Sequence, residues 1–462
     1  MISRLGRYQN NCHGSFFDRK GNMEIKIVKM GINGEGIGYV QNKPTFVTGA
    51  FPDETVEIKI IKDNKTYQIA QCEKIIQPAL SRVISVCLSK ECHTCPLIEM
   101  DYKYQLIYKQ QLLQEALYKY AKIPSRVISD IVANPKPLGY RNQLKLPIKS
   151  TNDGLVSGMY EPQSNRFVMV EDCVVHEVGL ETIKKEVLKI LNRYHVKSYD
   201  QKRSKGLRYL IIRGFNDQYQ CTLVSGDDEF SQTMLDQLAK IDHLVSINQS
   251  INTQKDGYEL FGRKITLLRG KPTIEVRLGE YRYQLSPRAF FQLNVEQALQ
   301  IYRHVAKQIK KDDVVIDAYS GIGSMTMFLQ AQAKKVIGIE NNSDAVYDAN
   351  VTASINKVNN CRFMTGDAAT QLAQITSNEK VNVLVLNPPR SGLSDTMLNS
   401  IIEAKIKKIV YVSCNPSTLA KNLDVLLKYY TIDDITPFDM FSYTPLVEAV
   451  VGLTIKGGNS RG

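Results

Sequence analysis

Alternating apolar and polar positions mark the first part of the chain. The stretches MEIKIVKMGINGEGIGYV, KPTFVTGAF, ETVEIKIIK and YQIAQCEKII fall within residues 23–78. Short alternating runs separated by Gly, Pro and Asn-Gly predict the strands of a small, OB-like β-barrel. Barrels of this kind often bind single-stranded nucleic acid. The glycines between residues 31 and 38 do not predict a phosphate-binding loop, because a strand follows them rather than a helix.

The pattern changes twice further along the chain. Residues 101–122 have helical spacing, and residues 138–285 alternate short strands with a helix near residues 177–194. From about residue 293, strands such as VVIDA, KVIGIE, VNVLVLN and KIVYVSC alternate with helical segments, which predicts a parallel doubly wound α/β sheet. Ligands bind such sheets at the carboxyl ends of the strands. The predicted domains are a barrel (23–80), a central α+β domain (81–285) and a Rossmann-like α/β domain (286–456).

Composition narrows the possible partners and the compartment. Hydrophobic residues make up 43% of the 462 residues, so the chain can bury several cores. The net charge of +12 favours a polyanionic partner such as nucleic acid. No apolar run approaches the ~18–20 residues that span a bilayer, and the N-terminus lacks a signal-peptide pattern. We therefore expect a cytoplasmic protein without membrane contact, in which cysteines serve as metal ligands, catalytic thiols or core residues.

A glycine turn follows the first strand of the α/β region. In Asp317-Ala318-Tyr319-Ser320-Gly321-Ile322-Gly323 a helix opens after the turn, and Gly321 lets the backbone approach a ligand closely. The next strand ends in Glu340, which can accept hydrogen bonds from both ribose hydroxyls, and the third ends in Asp367, placed to meet an adenine edge. NAD and S-adenosylmethionine both satisfy this pattern. The short turn and the rigid Asn387-Pro388-Pro389-Arg390 after the fourth strand favour S-adenosylmethionine.

The fifth strand ends at a cysteine. Asn415 is a good N-cap and Pro416 a good first helical residue, so the helix dipole and free N–H groups should favour a thiolate at Cys414. A thiolate that adds to C6 of a pyrimidine makes C5 able to take a methyl group, and a base must then remove the C5 proton. Glu448, between apolar residues of DMFSYTPLVEAVVGL, is the candidate base, and burial would raise its pKa.

These segments together resemble a known family. SPRAFFQLN, IDAYSGIG, VIGIE, NPPRSGL, VSCNPSTLAKNL and DMFSYTPLVEAVV stand in the order typical of RNA 5-methyluridine methyltransferases, and MGINGEGIGYV resembles the start of a TRAM domain. The resemblance covers about residues 23–456 and is strongest to the Gram-positive type that methylates uridines of 23S ribosomal RNA. It implies that S-adenosylmethionine is held by Gln292, Tyr319 and Glu340. It also implies that Cys414 is the nucleophile and Glu448 the base.

Two motifs depart from the family pattern. Asn387 stands where many members have Asp, although an Asn still offers an acceptor and a donor to a uracil edge. Ser442-Tyr443-Thr444 replaces the usual Pro-His-Thr, which bears on how the base is oriented. The second departure keeps open an RNA-binding module with decayed catalysis. An amino-group methyltransferase of adenine or guanine is a further alternative, which Asn-Pro-Pro favours but Arg390 does not, because an aromatic residue is typical there.

Four other cysteines match the iron–sulfur ligands of this family. Cys87, Cys92 and Cys95 are close in sequence, and Cys173 lies far downstream. The resemblance implies a [4Fe–4S] cluster on these four thiolates, which would also suit zinc. The family spacing is usually one residue longer between the first two cysteines. We thus predict a monomeric enzyme that forms 5-methyluridine in RNA, in 23S ribosomal RNA by resemblance.

Overall fold

Three β-sheets and one β-hairpin organise the computed structural model, which describes residues 23–89, 91–161, 165–254 and 259–457. The N-terminal stretch that lacks a signal-peptide pattern lies outside these described residues. The first sheet comprises β1 (Met23–Lys26), β2 (Lys29–Met30), β3 (Gly36–Val40), β4 (Lys43–Thr48), β5 (Thr55–Asp63) and β6 (Gln68–Gln77). Its spatial order is β1-β5-β6-β4-β3-β2.

The first sheet folds around its own small core. Inward side chains from five of its strands share one cluster, which includes Ile25, Val40, Val47 and Ile58. Glycines in β3 allow close approach of the backbone, since a Cβ on Gly36 would lie 2.7 Å from the Ala50 carbonyl oxygen. These glycines therefore serve strand packing, as the sequence predicts, and not phosphate binding.

Helix α1 (Tyr102–Ala121) follows the cysteine-containing segment. It begins at Asp101, whose carboxylate accepts a hydrogen bond from the Lys103 amide at 3.1 Å. Its buried face carries two polar residues in the first half and two leucines in the second, at a spacing of four: Gln105, Lys109, Leu113 and Leu117. The helix therefore presents a polar half and an apolar half to the same side of the molecule.

The central sheet has the order β13-β12-β11-β10-β7-β8-β9. Its strands are β7 (Gln143–Thr151), β8 (Gly154–Tyr160), β9 (Phe167–Met169), β10 (Leu207–Phe215), β11 (Gln218–Ser225), β12 (Leu244–Ile251) and β13 (Ile265–Gly270). Two helices, α2 (Val178–Arg193) and α3 (Gln232–Leu238), pack on one face of this sheet and share its apolar core. A hairpin of β14 (Ile274–Leu278) and β15 (Tyr281–Leu285) leads into the last region.

The C-terminal region is an α/β sheet of order β18-β17-β16-β19-β20-β22-β21. Its strands are β16 (Val314–Ala318), β17 (Lys335–Glu340), β18 (Cys361–Thr365), β19 (Val383–Leu386), β20 (Lys408–Ser413), β21 (Tyr430–Phe438) and β22 (Glu448–Ile455). Its helices are α4 (Val295–Ala306), α5 (Thr326–Gln330), α6 (Ser343–Ile355), α7 (Ala368–Asn378), α8 (Asp395–Ala404) and α9 (Pro416–Leu426). Apolar clusters cover both faces of the sheet.

The α/β prediction is confirmed, with one difference in the direction of the strands. The five strands β16 to β20 are parallel, but β22 runs antiparallel to β20 and lies between it and β21. No helix separates β21 from β22, so the chain returns directly along the sheet instead of crossing over. The sheet is therefore mixed, and β22 begins at the edge where the parallel strands end.

Candidate active site

The turn after β16 borders the space in which a nucleotide-like ligand fits. Tyr319 and Gly321 have positive φ angles of 65° and 55°. A Cβ atom placed on Gly321 has nothing within 4 Å among the described residues, so the backbone there faces open space. The buried Ser320 hydroxyl has no hydrogen-bond partner among these described residues either. An open backbone and an unpartnered hydroxyl fit a polar ligand such as S-adenosylmethionine.

Glu340 is fixed at the edge of this turn. Its Oε2 accepts a hydrogen bond from the Gly321 amide at 3.1 Å, and its Oε1 accepts one from the Asn342 amide at 2.9 Å. β16 and β17 are parallel neighbours, so both strand ends meet at one edge. The structure therefore brings together Tyr319, Gly321 and Glu340, three of the residues predicted to bind the cofactor.

Asp317 is a buried carboxyl whose role was not predicted from the sequence. It is 1% exposed and accepts a hydrogen bond from Thr326 Oγ1 at 2.5 Å. Burial raises the pKa of Asp317 to about 7; the Thr326 hydrogen bond opposes this rise and the charge of Glu340 adds to it. A carboxyl of this kind can be neutral or charged near pH 7, depending on the charge of the ligand beside it.

Gln292 and Tyr302 connect the cofactor side to the other half of the site. The Gln292 carbonyl accepts a hydrogen bond from Asn142 Nδ2 at 2.7 Å, and the Gln292 side chain is hydrogen-bonded to the hydroxyl of Tyr302. Tyr302 is 4% exposed, and burial raises its pKa, with further contributions from the charges of Asp317 and Glu448. Tyr302 therefore lies among Gln292, Asp317 and Glu448. The sequence missed it, because an aromatic residue on the apolar face of a helix usually indicates core packing.

Asn387 and Asp367 follow β19 and β18, two strands that end at the same edge of the sheet with β16 and β17 between them. Asn387 follows β19, and its amide donates to the Ala318 carbonyl at 3.4 Å. Asp367 is the N-cap of α7, where its Oδ1 accepts hydrogen bonds from the Thr370 amide at 3.0 Å and the Thr370 hydroxyl at 2.9 Å. These bonds lower the pKa of Asp367. The charge of Asp367 reaches Tyr319, whose pKa it raises together with burial. Asp367 thus has a capping role that the sequence analysis did not assign to it.

The cap beside Cys414 has the predicted geometry. Asn415 Oδ1 accepts hydrogen bonds from the Ser417 amide at 3.1 Å and the Thr418 amide at 3.5 Å, and Pro416 is the first residue of α9. The half-buried Cys414 stands between the end of β20 and this cap.

The predicted effect of the cap on the thiol was wrong. The pKa of Cys414 is raised, mainly by burial and then by the charge of Glu448. Arg390 opposes both effects through its charge and a hydrogen bond to the thiol. Loss of hydration and a nearby carboxylate both disfavour the thiolate. In the free protein the thiol is therefore protonated at neutral pH, and it must lose its proton before it can act as a nucleophile.

Glu448 lies on β22, the strand adjacent to the one that leads to this thiol. Ser413 of β20 pairs with Ala449 of β22, so Cys414, one residue beyond, is opposite Glu448, one residue before. Glu448 is 8% exposed, and burial raises its pKa to about 7, while the charge of Arg390 lowers it. A carboxylate with a pKa near neutrality suits a general base.

Arg390 supplies the positive charge of the site. Its carbonyl accepts hydrogen bonds from Asn415 Nδ2 at 3.1 Å and Thr418 Oγ1 at 3.3 Å, which tie the loop after β19 to the start of α9. Its guanidinium then lies close enough to act on both Cys414 and Glu448. From the sequence alone, Arg390 counted only against an amino-group methyltransferase. Its position after the rigid Pro388-Pro389 pair was the available signal.

The four cysteines of the predicted iron–sulfur site are near one another. The charges of Cys87, Cys92 and Cys173 act on Cys95, whose pKa burial raises to about 12 although Arg141 opposes the rise. No group of three or more His, Cys, Asp or Glu residues among the described residues is arranged to hold a metal ion. The thiols thus share one neighbourhood without forming a ready site, and the predicted cluster is not confirmed.

In the part of the chain that the structure describes, no helix is both long and apolar enough to span a membrane.

Comparisons with known proteins agree with this geometry. The family model "tRNA (Uracil-5-)-methyltransferase" matches residues 101–456, and the TRAM domain model matches residues 22–72. An uncharacterized RNA methyltransferase of Clostridium tetani is 34% identical over 95% of this chain and 97% of its own length. One from Lactiplantibacillus plantarum is 33% identical over 93% of this chain and 92% of its own. The structure of Pyrococcus abyssi tRNA (uracil-54, C5)-methyltransferase with S-adenosyl-L-homocysteine superposes with a TM-score of 0.76. It is 25% identical and covers 94% of this chain and 100% of that one.

Proposed function

Because this chain belongs to the tRNA (uracil-5-)-methyltransferase family, we propose that Cys414 and Glu448 perform the two halves of uracil C5 methylation in RNA. The protein is an S-adenosylmethionine-dependent RNA methyltransferase with a TRAM domain. Gln292, Tyr319, Gly321 and Glu340 would hold the cofactor, with Asp367 and Asn387 at its borders. S-adenosylmethionine supplies the methyl group as an electrophile.

The proposed reaction starts at the thiol. The Cys414 thiolate forms a bond to C6 of the uracil, and the electron pair of the C5–C6 double bond moves to C5 and O4. The electron pair at C5 then forms a bond to the methyl group while the bond between that methyl and the sulfonium sulfur breaks, and S-adenosylhomocysteine leaves with the sulfur's electron pair. Glu448 removes the remaining proton from C5, the C5–C6 double bond forms again, and the C6–S bond breaks to return the thiolate. The Cys414 thiolate and the Glu448 carboxylate are both regenerated once Glu448 passes its proton to water.

The electrostatics of the site support this order of events. Glu448 has a pKa of about 7, so a substantial fraction of the molecules carries an ionised base at neutral pH. The charge of Arg390 favours the ionised forms of both Cys414 and Glu448, which repel each other. Cys414 and Glu448 must each be an anion, but at different steps of the reaction. The positive charge of Arg390 lowers the pKa of both groups, so that each can ionise at its own step.

The observation that carries this proposal is the strand register that sets Cys414 opposite Glu448. The test uses RNA containing 5-fluorouridine, because fluorine cannot leave C5 as a proton does. Wild-type protein with S-adenosylmethionine should form a covalent protein–RNA adduct that survives denaturing electrophoresis, and Cys414→Ala should form none. An adduct of equal yield in Cys414→Ala, or no adduct in wild type, would refute the addition step.

The RNA target is a second part of the proposal. The relatives above with 34% and 33% identity come from Gram-positive bacteria, and the sequence resembles the type that acts on 23S ribosomal RNA. We propose 23S ribosomal RNA as the substrate, with transfer RNA as the competing one, because the archaeal structural neighbour is a tRNA methyltransferase. Mapping 5-methyluridine in both RNAs from a deletion strain decides between them. Loss of the modification only from tRNA would overturn the ribosomal assignment.

Three further expectations from the sequence belong to this proposal. The shared neighbourhood of Cys87, Cys92, Cys95 and Cys173 supports a [4Fe–4S] cluster, which iron content and visible absorbance of anaerobically purified protein would test. We retain the division into domains at 23–80, 81–285 and 286–456, which limited proteolysis would test. We also infer a cytoplasmic monomer, as suits an enzyme of RNA, which light scattering and fractionation would check.

A further inference from the structure

The segment that precedes Glu448 is held by buried polar contacts to which the reaction above assigns no role. This base segment, residues 439–447, connects β21 to β22. Asp439 and Ser442 are 0% exposed, and Tyr443 has a positive φ of 65°. Ser442 and Tyr443 are also where the sequence departs from the family pattern. What fixes this segment therefore bears directly on where the base lies.

Asp439 forms a buried pair with Lys109 of α1. Both side chains are 0% exposed, and Lys109 Nζ donates to Asp439 Oδ1. Lys109 Nζ also donates to the Phe441 carbonyl at 2.9 Å. The other carboxylate oxygen of Asp439 accepts hydrogen bonds from the Tyr102 hydroxyl at 2.6 Å and the Ser442 hydroxyl at 2.7 Å. Every Asp439 oxygen therefore has a partner, and α1 supplies two of the three donors.

Further contacts fix the backbone of the base segment. Gln105 of α1 accepts a hydrogen bond from the Tyr443 amide at 2.9 Å. Asn134 Nδ2 donates to the Ser442 hydroxyl at 2.9 Å, and the Tyr140 hydroxyl donates to the Ser442 carbonyl at 3.2 Å. Two polar side chains on the buried face of α1 therefore bind both ends of the 439–443 stretch: Lys109 binds its start and Gln105 binds its end.

The buried pair is adjacent to the base in the sheet. Phe438 pairs with Glu448 across β21 and β22, and Asp439 is the next residue along the chain. A displacement of Asp439 would thus move the partner strand of Glu448. The second half of α1 packs on α9 through Leu113, Leu117 and the ring of Tyr120, over which Lys421 Nζ lies at 5.3 Å from the centroid. One helix therefore supports both the helix that begins beside Cys414 and the segment that precedes Glu448.

A buried ion pair is a poor means of stabilising a fold. Removing two charges from water costs roughly as much as their attraction returns, and apolar residues of similar volume are often equally stable in their place. Such pairs are useful where they fix a geometry. We propose that Lys109 and Asp439 are positioning residues for Glu448, and that their pair sets the rate of proton removal from C5 rather than the rate of methyl transfer. This proposal rests on the addition–elimination reaction proposed above.

The test separates the two steps in a single turnover. Enzyme in excess is mixed with S-adenosylmethionine carrying a labelled methyl group and with transcribed 23S ribosomal RNA, and in parallel with a tRNA transcript. Label in the covalent protein–RNA adduct reports methyl transfer, and label in free RNA reports release. The variant is K109M/D439N, because removing both charges leaves no buried charge unpaired, and Asn can still accept from Tyr102 and Ser442.

We expect K109M/D439N to form the labelled adduct at the wild-type rate and to release RNA on the order of 100-fold more slowly, as a shift of about 1 Å of a catalytic group can cause. In the Glu448→Gln background the same double substitution should slow release no further, because the residues act through Glu448. The control is K335M/E379Q, which removes a half-buried ion pair where β17 begins, at the edge of the sheet opposite the site. It should change neither step.

Each other outcome overturns the proposal. Equal slowing of adduct formation and release in K109M/D439N would indicate a general structural role. Unchanged release would show that the pair does not position the base, and additional slowing in the Glu448→Gln background would show an action outside Glu448. Failure of the proposed reaction itself gives a different result, since wild-type protein would then form no adduct on RNA containing 5-fluorouridine although it still methylates unmodified RNA.

Discussion

Replacing Glu448 by Gln should stabilise the folded protein at alkaline pH while it blocks release of the methylated RNA. Burial raises the pKa of Glu448 from 4.5 to about 7. The carboxyl of Glu448 ionises more easily in the unfolded chain than in the folded protein. The contribution of this group to the stability of the fold is therefore complete below pH 4.5, and it is lost as the pH rises through 7. A difference of about 2.5 in pKa corresponds to about 3.4 kcal/mol at high pH.

The magnitude can be stated for two practical pH values. At pH 8 nearly the whole penalty of about 3.4 kcal/mol applies, and at pH 5 about 0.8 kcal/mol applies, because the folded state then keeps its proton. Glu448→Gln carries no charge at either pH. Its stability relative to wild type should therefore increase by about 2.5 kcal/mol from pH 5 to pH 8, since all other titrating groups are shared.

The assay is urea unfolding at both pH values, followed by circular dichroism because the chain contains no tryptophan. Several domains need not unfold together, so hydrogen exchange of the β22 amides provides the local free energy of opening. Glu403→Gln on α8, an exposed position, is the control and should show no dependence on pH. If Glu448→Gln differs from wild type equally at pH 5 and pH 8, the burial argument is wrong.

Three other substitutions test neighbouring parts of the site. Arg390→Gln should raise the pKa of Glu448 and shift the pH profile of RNA release to higher pH, and an unchanged profile would show that Arg390 does not act on the base. Asn415→Ala removes the cap of α9 and should lower the stability of its first turn by about 1 kcal/mol. Hydrogen exchange of the first-turn amides measures this loss, and unchanged exchange would contradict the role of the cap. Tyr302→Phe should weaken S-adenosylhomocysteine binding by roughly 2- to 10-fold through the lost contact to Gln292, measured by calorimetry, whereas unchanged affinity would remove Tyr302 from the cofactor site.

Local patterns in the sequence predicted the local parts of the site well. The glycine turn at Gly321 and the cap at Asn415 each depend on residues that are adjacent in the chain, so composition and spacing indicated them directly. The pKa of Cys414 could not be predicted in this way. It depends mainly on burial and then on Glu448, which the antiparallel strand brings alongside, and neither effect can be read from the residues adjacent to Cys414.

The pair of Lys109 and Asp439 shows why long-range contacts stay hidden in a sequence. The two residues are 330 positions apart, and a lysine in a helix rich in Tyr and Lys usually indicates a solvated side chain. A weak signal was present, because Gln105 and Lys109 continue the four-residue spacing of Leu113 and Leu117. Polar residues in the apolar register of a helix require partners when they are buried, and the partners come from the end of the chain.

The antiparallel direction of β22 explains how Glu448, the proposed base, can lie beside Cys414, the proposed nucleophile. In a parallel sheet the first residue of a strand lies at the edge opposite the ligand, so a residue that begins a parallel strand could not reach Cys414. β22 runs the other way, and its first residue, Glu448, therefore lies at the edge where β20 ends. The returning strand also explains the base segment, since the chain must turn at this edge before β22 begins. The proposed catalytic pair and the buried contacts beside it thus follow from one reversal of strand direction.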